Sequence, residues 1–295
     1  MQALRLKQAS PAPFWFVNKW GQIVNKKVRL GSVRISKPVN QVVDAPPRPW
    51  SFSRLPLQGP PGHWLHVLEA GRADAPTLLF LHGAAGSWHN FRLQIEWLQH
   101  DYRIISLDLR GHGLSPWPGT SHIEDFVNDV LGVVEARIPG SFAVVGHSFG
   151  GCLATLVAER LGSRVRGLTL LNTAGEIPRG PLFRFLKLFA RFSHWVAQIE
   201  PYWISCHGRV AHDLLWDTLP AWNTWSLYPN LQVPTLVLAG RRDSLIPWRS
   251  SIRMASLIPG AVSHIIEDGR HVCMWESPEV LRAHMEAWLS RLSWK

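Results

Sequence analysis

The stretch Gly146-His147-Ser148-Phe149-Gly150-Gly151 decides the fold and marks the candidate site. It follows an apolar run, Phe142–Val145, and opens a helical pattern, Gly151–Leu161. A serine at such a strand-to-helix turn exposes its hydroxyl, and flanking glycines let the backbone turn without side-chain clash. The N–H groups left unpaired at the start of the helix would lie beside that hydroxyl. The motif predicts that Ser148 is a nucleophile, against the alternative of an inert serine at a glycine-rich junction.

Strand-like and helical patterns alternate on both sides of this stretch. The other apolar runs are Trp64–Leu68, Thr77–Leu81, Arg103–Leu107, Leu168–Leu171, Thr235–Leu238 and Val262–Ile266. Helical patterns cover Ile123–Arg137 and Pro278–Leu292. This alternation predicts an α/β fold with a doubly wound, mostly parallel sheet. Ligands of such sheets bind at the carboxyl ends of the strands, so the residues that follow each strand are the first candidates for a site.

Two segments depart from the alternation. Residues 1–50 form a basic, aromatic-rich arm with nine basic side chains and one acidic one, and so carry eight of the ten net positive charges. Residues 176–230 have no clear strand pattern but eleven aromatic residues, which predicts a mostly helical cap. The predicted core is then 51–175 together with 231–295. The arm brings no motif that reads a nucleic-acid groove, so no nucleic-acid partner is expected.

A nucleophilic serine needs a base, and the base needs an acid that orients it. His271 lies between the strand-like run Val262–Ile266 and the last helical pattern, and is the best-placed base. Asp243 ends the preceding strand and is the expected acid. Asn172 follows the strand before that and cannot supply a carboxylate. Glu267 and Asp268 are close to His271 in sequence but too constrained by their own strand to reach its ring.

An oxyanion hole needs two backbone donors. We expect one to be the N–H of Phe149, directly after the nucleophile. The other should come from the glycine-rich turn His82-Gly83-Ala84-Ala85-Gly86, where Ala84 leaves room for a carbonyl oxygen. His82, His112 and His147 flank glycines in turns, and we expect them to hold loops.

From about Trp50 to Lys295 the chain resembles the α/β-hydrolase superfamily, in a serine-nucleophile, esterase- or lipase-like branch. The motifs that carry the resemblance are His82-Gly83, Asp108-Leu109-Arg110-Gly111-His112-Gly113, the Ser148 motif, Gly240-Arg241-Arg242-Asp243 and Gly269-Arg270-His271. The resemblance implies a Ser148–His271–Asp243 triad with Phe149 and Ala84 as oxyanion donors. Epoxide hydrolases and haloalkane dehalogenases of this superfamily use aspartate as nucleophile, so Ser148 argues against those branches. The resemblance does not extend to the arm or the cap.

These residues predict a hydrolase of carboxylic esters (EC 3.1.1) that works through an acyl-enzyme and needs no metal or organic cofactor. The aromatic cap favours an apolar acyl or alcohol group, with Trp203, Trp222 and Trp225 as candidate substrate contacts. Thioesters, lactones and carbon–carbon bonds of dienol ketones remain alternatives, because the same triad serves them. A non-catalytic binding protein that retains the fold is a further alternative.

A lipid-acting enzyme at a membrane surface is the last alternative. The arm places four aromatic residues before a basic cluster, and Pro181–Val196 has the pattern of a basic amphipathic helix. The arm could therefore make peripheral membrane contact, although a solvated cap face over a packed one is the favoured explanation of the helix pattern. Three scattered cysteines and the lack of an apolar N-terminal leader favour a cytoplasmic location. The sequence leaves the oligomeric state open.

Overall fold

The computed structural model describes residues 50–178, 205–206 and 208–294, which all belong to one unit of the chain, Pro46–Lys295. Three predictions lie outside these residues: the arm up to residue 49, the amphipathic stretch Pro181–Val196, and the substrate contact at Trp203. No helix among the described residues is both long enough and apolar enough to cross a membrane.

A single sheet of eight strands organises the described residues. Its strands are β1 (Ser51–Pro56), β2 (Trp64–Ala70), β3 (Thr77–Leu81), β4 (Arg103–Leu107), β5 (Phe142–His147), β6 (Val165–Leu171), β7 (Thr235–Gly240) and β8 (Val262–Ile266). Their order across the sheet is β1-β2-β4-β3-β5-β6-β7-β8. The pairs β1–β2 and β2–β4 are antiparallel, and all others are parallel. The prediction of an α/β fold with a mostly parallel sheet is confirmed.

Helices cover both faces of the sheet. They are α1 (Arg92–Leu98), α2 (Ile123–Arg137), α3 (Phe149–Leu161), α4 (Gly208–Asp213), α5 (Leu219–Ala221), α6 (Trp248–Leu257), α7 (Cys273–Glu276) and α8 (Pro278–Leu289). A π-helical turn, Leu214–Thr218, joins α4 to α5. Short 3-10 turns cover Trp88–Phe91, Gly162–Arg164 and Tyr228–Asn230. The part of residues 176–230 that the structure describes is thus largely helical, while its role as a cap stays a prediction.

The central strands are apolar throughout because they are buried on both faces. Along β5, Val144 belongs to the core that packs against α2 and α3, whereas Val145 belongs to the core that packs against α1 and α8. Residues two apart share a face of a strand, so consecutive apolar residues pack alternately into the two cores on opposite faces of the sheet. These cores fix the sheet, and the sheet fixes the positions of the loops at its carboxyl edge.

Strand β1 and helices α1, α6 and α7 were not predicted from the sequence. Strand β1 lies at the edge of the sheet and buries only Leu55, so it lacks the continuous apolar run of the central strands. Helices α1 and α6 bury few residues and are amphipathic over short spans. Helix α3 begins at Phe149, two residues before the predicted start at Gly151, because the turn at Ser148 is complete within one residue.

Candidate active site

Ser148 occupies a sharp turn between β5 and α3. Its backbone angles are φ 52° and ψ −119°, a conformation that costs a non-glycine residue about 1–3 kcal/mol. Its N–H donates to the Leu171 carbonyl at 2.9 Å, and the Thr173 hydroxyl donates to its carbonyl at 2.8 Å. The end of β6 and the loop that follows it therefore hold the strained residue in place.

The glycines that flank the serine are required by close backbone approach. A Cβ at Gly146 would overlap the carbonyl oxygen of Gly150, and a Cβ at Gly150 would overlap that of Leu81. Neither glycine has a positive φ, so space and not backbone conformation selects them. This confirms the sequence argument that the turn needs glycines on both sides.

His271 and Asp243 meet at the carboxyl ends of β7 and β8. The Nδ1 atom of His271 lies 2.8 Å from Oδ2 of Asp243. The other carboxylate oxygen of Asp243 accepts the backbone N–H groups of Leu245 and Ile246 at 2.8 and 2.9 Å. The Asp243 side chain is fully buried, and that of His271 is 18% exposed. The carboxylate is thus oriented by its own loop and presents one oxygen to the imidazole.

Neither alternative acid contacts the imidazole. Glu267 pairs with Arg241 at 2.8 Å, and Asp268 pairs with Arg242 at 3.0 Å. Both carboxylates point to the surface, as their exposed side chains indicate. Among the described residues, Asp243 is the one carboxylate that bonds to His271.

Among the described residues, no hydrogen bond joins the Ser148 hydroxyl to His271, and His147 lies beside both. His147, adjacent to Ser148, has its ring centroid 4.9 Å from that of His271. Its Nε2–H donates to the His271 carbonyl oxygen at 2.7 Å. Catalytic serine–histidine bonds are often long in substrate-free enzymes and shorten in the reacting complex.

The turn after β3 lies close to Ser148. A Cβ on Gly83 would lie 3.1 Å from Cβ of Ser148, so this turn packs directly against the serine. The Gly83 carbonyl accepts Nδ1–H of His82 at 2.8 Å and N–H of Gly86 at 3.0 Å. These bonds fix the peptide between Gly83 and Ala84, whose N–H points the opposite way in a trans peptide.

The two expected oxyanion donors have no competing acceptor. No described residue accepts a hydrogen bond from the Ala84 N–H. Phe149 is the first residue of α3, so its N–H has no partner within the helix. Both N–H groups can therefore donate to a ligand.

The buried histidines hold loops, as expected, and do so in the neutral form. Leu109 N–H donates to Nε2 of His82 at 3.0 Å, and Ala85 N–H donates to Nε2 of His112 at 3.2 Å. A nitrogen that accepts carries no proton. Burial lowers the pKa of His82, lowers that of His112 to about 3, and lowers that of His147 well below its usual range.

Asn172 is a site residue that sequence reasoning missed. The amide was set aside because it cannot act as the triad acid, but it bonds to the loops of both Asp243 and His271. The signal in the sequence was its place directly after β6, at the edge where the site lies.

The described candidate substrate contacts differ in burial. Trp222 is 1% exposed and its ring centroid lies 6.4 Å from that of Phe149. Trp225 is half-buried, covers Gly175 and lies under the guanidinium of Arg253. Trp222 is thus a core residue beside α3, whereas Trp225 remains partly exposed.

A family model described as the alpha/beta hydrolase fold matches residues 76–205, which include the turn after β3 and the Ser148 motif. The chain has the α/β-hydrolase fold. A solved thermophilic esterase from Thermogutta terrifontis is 24% identical with a TM-score of 0.70, over 82% of this chain and 98% of the esterase. The enol-lactonase from Burkholderia xenovorans is 21% identical with a TM-score of 0.70, over 78% and 98% of the two chains.

Curated relatives of this α/β-hydrolase have varied names. Epoxide hydrolase 1 from Caenorhabditis elegans is 23% identical in an alignment of 278 positions, which covers 77% of this chain and 68% of the relative. Solved structures that are 21–24% identical establish the shared fold but not the reaction, which depends on the side chains of this chain's own site.

Proposed function

We propose that this α/β-hydrolase is a serine hydrolase that cleaves carboxylic esters with an apolar acyl or alcohol part. The observation that carries the proposal is the 2.8 Å contact between His271 and Asp243 beside the strained turn of Ser148. Strain at one residue persists only where the surrounding structure enforces it, and it concentrates at functional sites. An inert binding protein would have no need of a strained serine next to an oriented histidine.

The protonation state of His271 follows from its partner. A carboxylate accepts hydrogen bonds only, so the proton of the neutral imidazole lies on Nδ1 and is donated to Asp243. Nε2 then carries a free electron pair and can act as a base. Asp243 stabilises the imidazolium that forms when Nε2 takes a proton.

The reaction would proceed in two steps. His271 takes the hydroxyl proton as Ser148 attacks the ester carbonyl, and the oxyanion accepts the N–H groups of Phe149 and Ala84. The intermediate collapses, the carbon–oxygen bond to the alcohol breaks, and His271 gives the proton to the departing alcohol. His271 then takes a proton from a water as that water attacks the acyl-enzyme; the bond between Ser148 Oγ and the acyl carbon breaks, the acid leaves, and His271 returns the proton to Ser148. No step requires a metal or an organic cofactor.

The apolar substrate preference rests on the aromatic residues of segment 176–230. Trp222 packs beside Phe149, and Trp225 packs on Gly175, so aromatic surface comes close to the nucleophile helix. The proteins to which this chain is similar include a thermophilic esterase and an enol-lactonase. Ser148 stands where an epoxide hydrolase would carry an aspartate, which supports acyl transfer over epoxide opening.

The test is a steady-state assay of the full-length protein on p-nitrophenyl esters from two to twelve acyl carbons, with one thioester and one lactone of matched chain length. We expect the esters to be the best substrates and the longer acyl chains to be favoured. Ser148→Ala should reduce kcat by about 10⁴–10⁶-fold without loss of fold. A preference for the thioester or the lactone would correct the substrate class, and wild-type activity in Ser148→Ala would refute the proposal.

A further inference from the structure

Asn172 ends β6 in an unusual backbone conformation. Its φ is 44°, in the left-handed region that asparagine tolerates better than most residues, and it is 1% exposed. Its own N–H donates to the Leu238 carbonyl of β7 at 2.9 Å. The side chain is therefore buried among the ends of the central strands, close to the proposed triad.

The Asn172 amide connects two loops that otherwise arise from different strands. Its Nδ2 donates to the carbonyl oxygens of Arg270 and His271, at 2.6 and 2.8 Å. Its Oδ1 accepts the N–H of Gly240 at 2.6 Å. Gly240 is the last residue of β7 and begins the loop that carries Asp243, whereas Arg270 and His271 belong to the loop that follows β8.

Only one orientation of the amide fits its neighbours. Two carbonyl oxygens face Nδ2, and one N–H faces Oδ1, so a flipped amide would set oxygen against oxygen and hydrogen against hydrogen. Both amide hydrogens and one acceptor position are used. A carboxylate of the same shape could keep the bond from Gly240 but would repel both carbonyls.

We propose that Asn172 is a positioning residue that fixes the His271 loop relative to the Asp243 loop, so that the imidazole stays aligned for proton transfer. The inference rests on the proposed function, because alignment matters only if His271 acts as the base. His147 adds a second bond to the same His271 carbonyl at 2.7 Å, so the backbone of the base is held from two sides. Neither residue touches the reacting atoms.

Misalignment of a catalytic group by about 1 Å costs on the order of 100-fold in rate. Loss of the Asn172 bonds should therefore lower kcat and leave KM nearly unchanged, because the residue is buried away from bound substrate. A residue that mattered only for packing would lower the melting temperature and leave the kcat of the folded protein intact.

Two variants separate these roles. Asn172→Asp retains the volume and the tolerance of a positive φ but replaces both donors by an acceptor. Asn172→Gly retains the backbone conformation and removes the amide, and Asn172→Ser replaces it if the glycine variant does not fold. The matched control is Thr235→Val, which removes a buried 2.7 Å hydrogen bond to the Val233 carbonyl at the opposite end of β7.

The experiment measures kcat and KM on the best ester, the labelling rate with a fluorophosphonate probe, and the melting temperature, all on full-length folded protein. We expect kcat and the labelling rate of Asn172→Asp and Asn172→Gly to fall about 10- to 100-fold, with KM within about threefold of wild type. Thr235→Val should lose thermal stability and keep its kcat within about twofold.

The outcomes separate the two claims. If wild type neither labels nor cleaves any ester, the proposed function fails, and the inference fails with it. If wild type labels and Asn172→Asp retains its kcat within twofold, the proposed function stands and the positioning role is refuted. A fall in kcat that Thr235→Val shares equally would likewise refute it, because a general loss of stability would then explain both.

Discussion

At the scale of single residues, hydrogen bonds fix the orientation of the Asp243 carboxylate. One oxygen accepts two N–H groups of its own loop, and the other accepts Nδ1–H of His271. The aspartate therefore has a fixed direction before any substrate arrives. Preorganisation of this kind spares the reaction the cost of ordering the group in the transition state.

Asp243→Asn should remove most of the activity while the protein stays folded. The amide oxygen can still accept hydrogen bonds from the N–H groups of its loop. Its NH₂ group then faces Nδ1 of His271 and favours the imidazole tautomer with the proton on Nε2. In that tautomer Nε2 cannot act as a base. We expect kcat to fall by about 10³–10⁴-fold. Asp268→Asn is the matched control, since its carboxylate is exposed and pairs with Arg242, and it should leave kcat unchanged. The opposite pattern would assign the acid to Asp268.

At the scale of secondary-structure elements, the sequence predicted those parts whose pattern depends on local burial. Strands β3 and β4 match the predicted bounds, because strands that are buried on both faces need continuous apolar runs. Strand β1 was not predicted because this exposed edge strand buries only Leu55, and a single buried residue produces no apolar run in the sequence. Helix α2 was predicted at its observed bounds because its apolar face repeats over four turns.

The candidate site divides in the same way. Ser148, His271 and Asp243 each follow a strand and belong to a motif, so the chain order alone brought them to one edge of the sheet. Asn172 could not be recognised because its partners are backbone carbonyls nearly a hundred residues away. Residue type and spacing carry no information about which backbone groups a folded loop leaves unpaired.

The helical segment before β7 yields a prediction that separates packing from substrate contact. Trp222→Ala should lower the free energy of unfolding by about 3–5 kcal/mol, because it empties a large buried site, and should lower the rates on short and long esters together. Trp225→Ala should cost less stability and change the ratio of those rates, since Trp225 is only partly buried. Denaturant unfolding and paired ester assays measure both effects. An unchanged ratio in Trp225→Ala would remove it from the substrate contacts.

At the scale of the whole molecule, the buried neutral histidines predict how stability depends on pH. Burial lowers the pKa values of His82, His112 and His147 in the folded protein, whereas in the unfolded chain each titrates near 6.5. Below about pH 6.5 the unfolded chain therefore binds protons that the folded protein excludes. Stability should fall on acidification by about 1.4 kcal/mol per pH unit for each histidine, until the pH reaches the folded pKa.

Urea unfolding between pH 5 and pH 8 measures this slope. The wild-type free energy of unfolding should be nearly flat above pH 7 and fall steeply below pH 6. In His112→Gln the slope below pH 6 should be smaller by about 1.4 kcal/mol per pH unit, whatever the stability at neutral pH. A slope identical to that of wild type would mean that His112 is protonated in the folded protein.

The most direct test of the central claim is to label the full-length protein with a fluorophosphonate probe and map the modified residue by mass spectrometry. Only a serine activated by a neighbouring base reacts at a useful rate. The account predicts stoichiometric modification of Ser148, none in Ser148→Ala, and strongly slowed labelling in His271→Ala. Absence of labelling in the folded wild-type protein, or modification of a different serine, would contradict it.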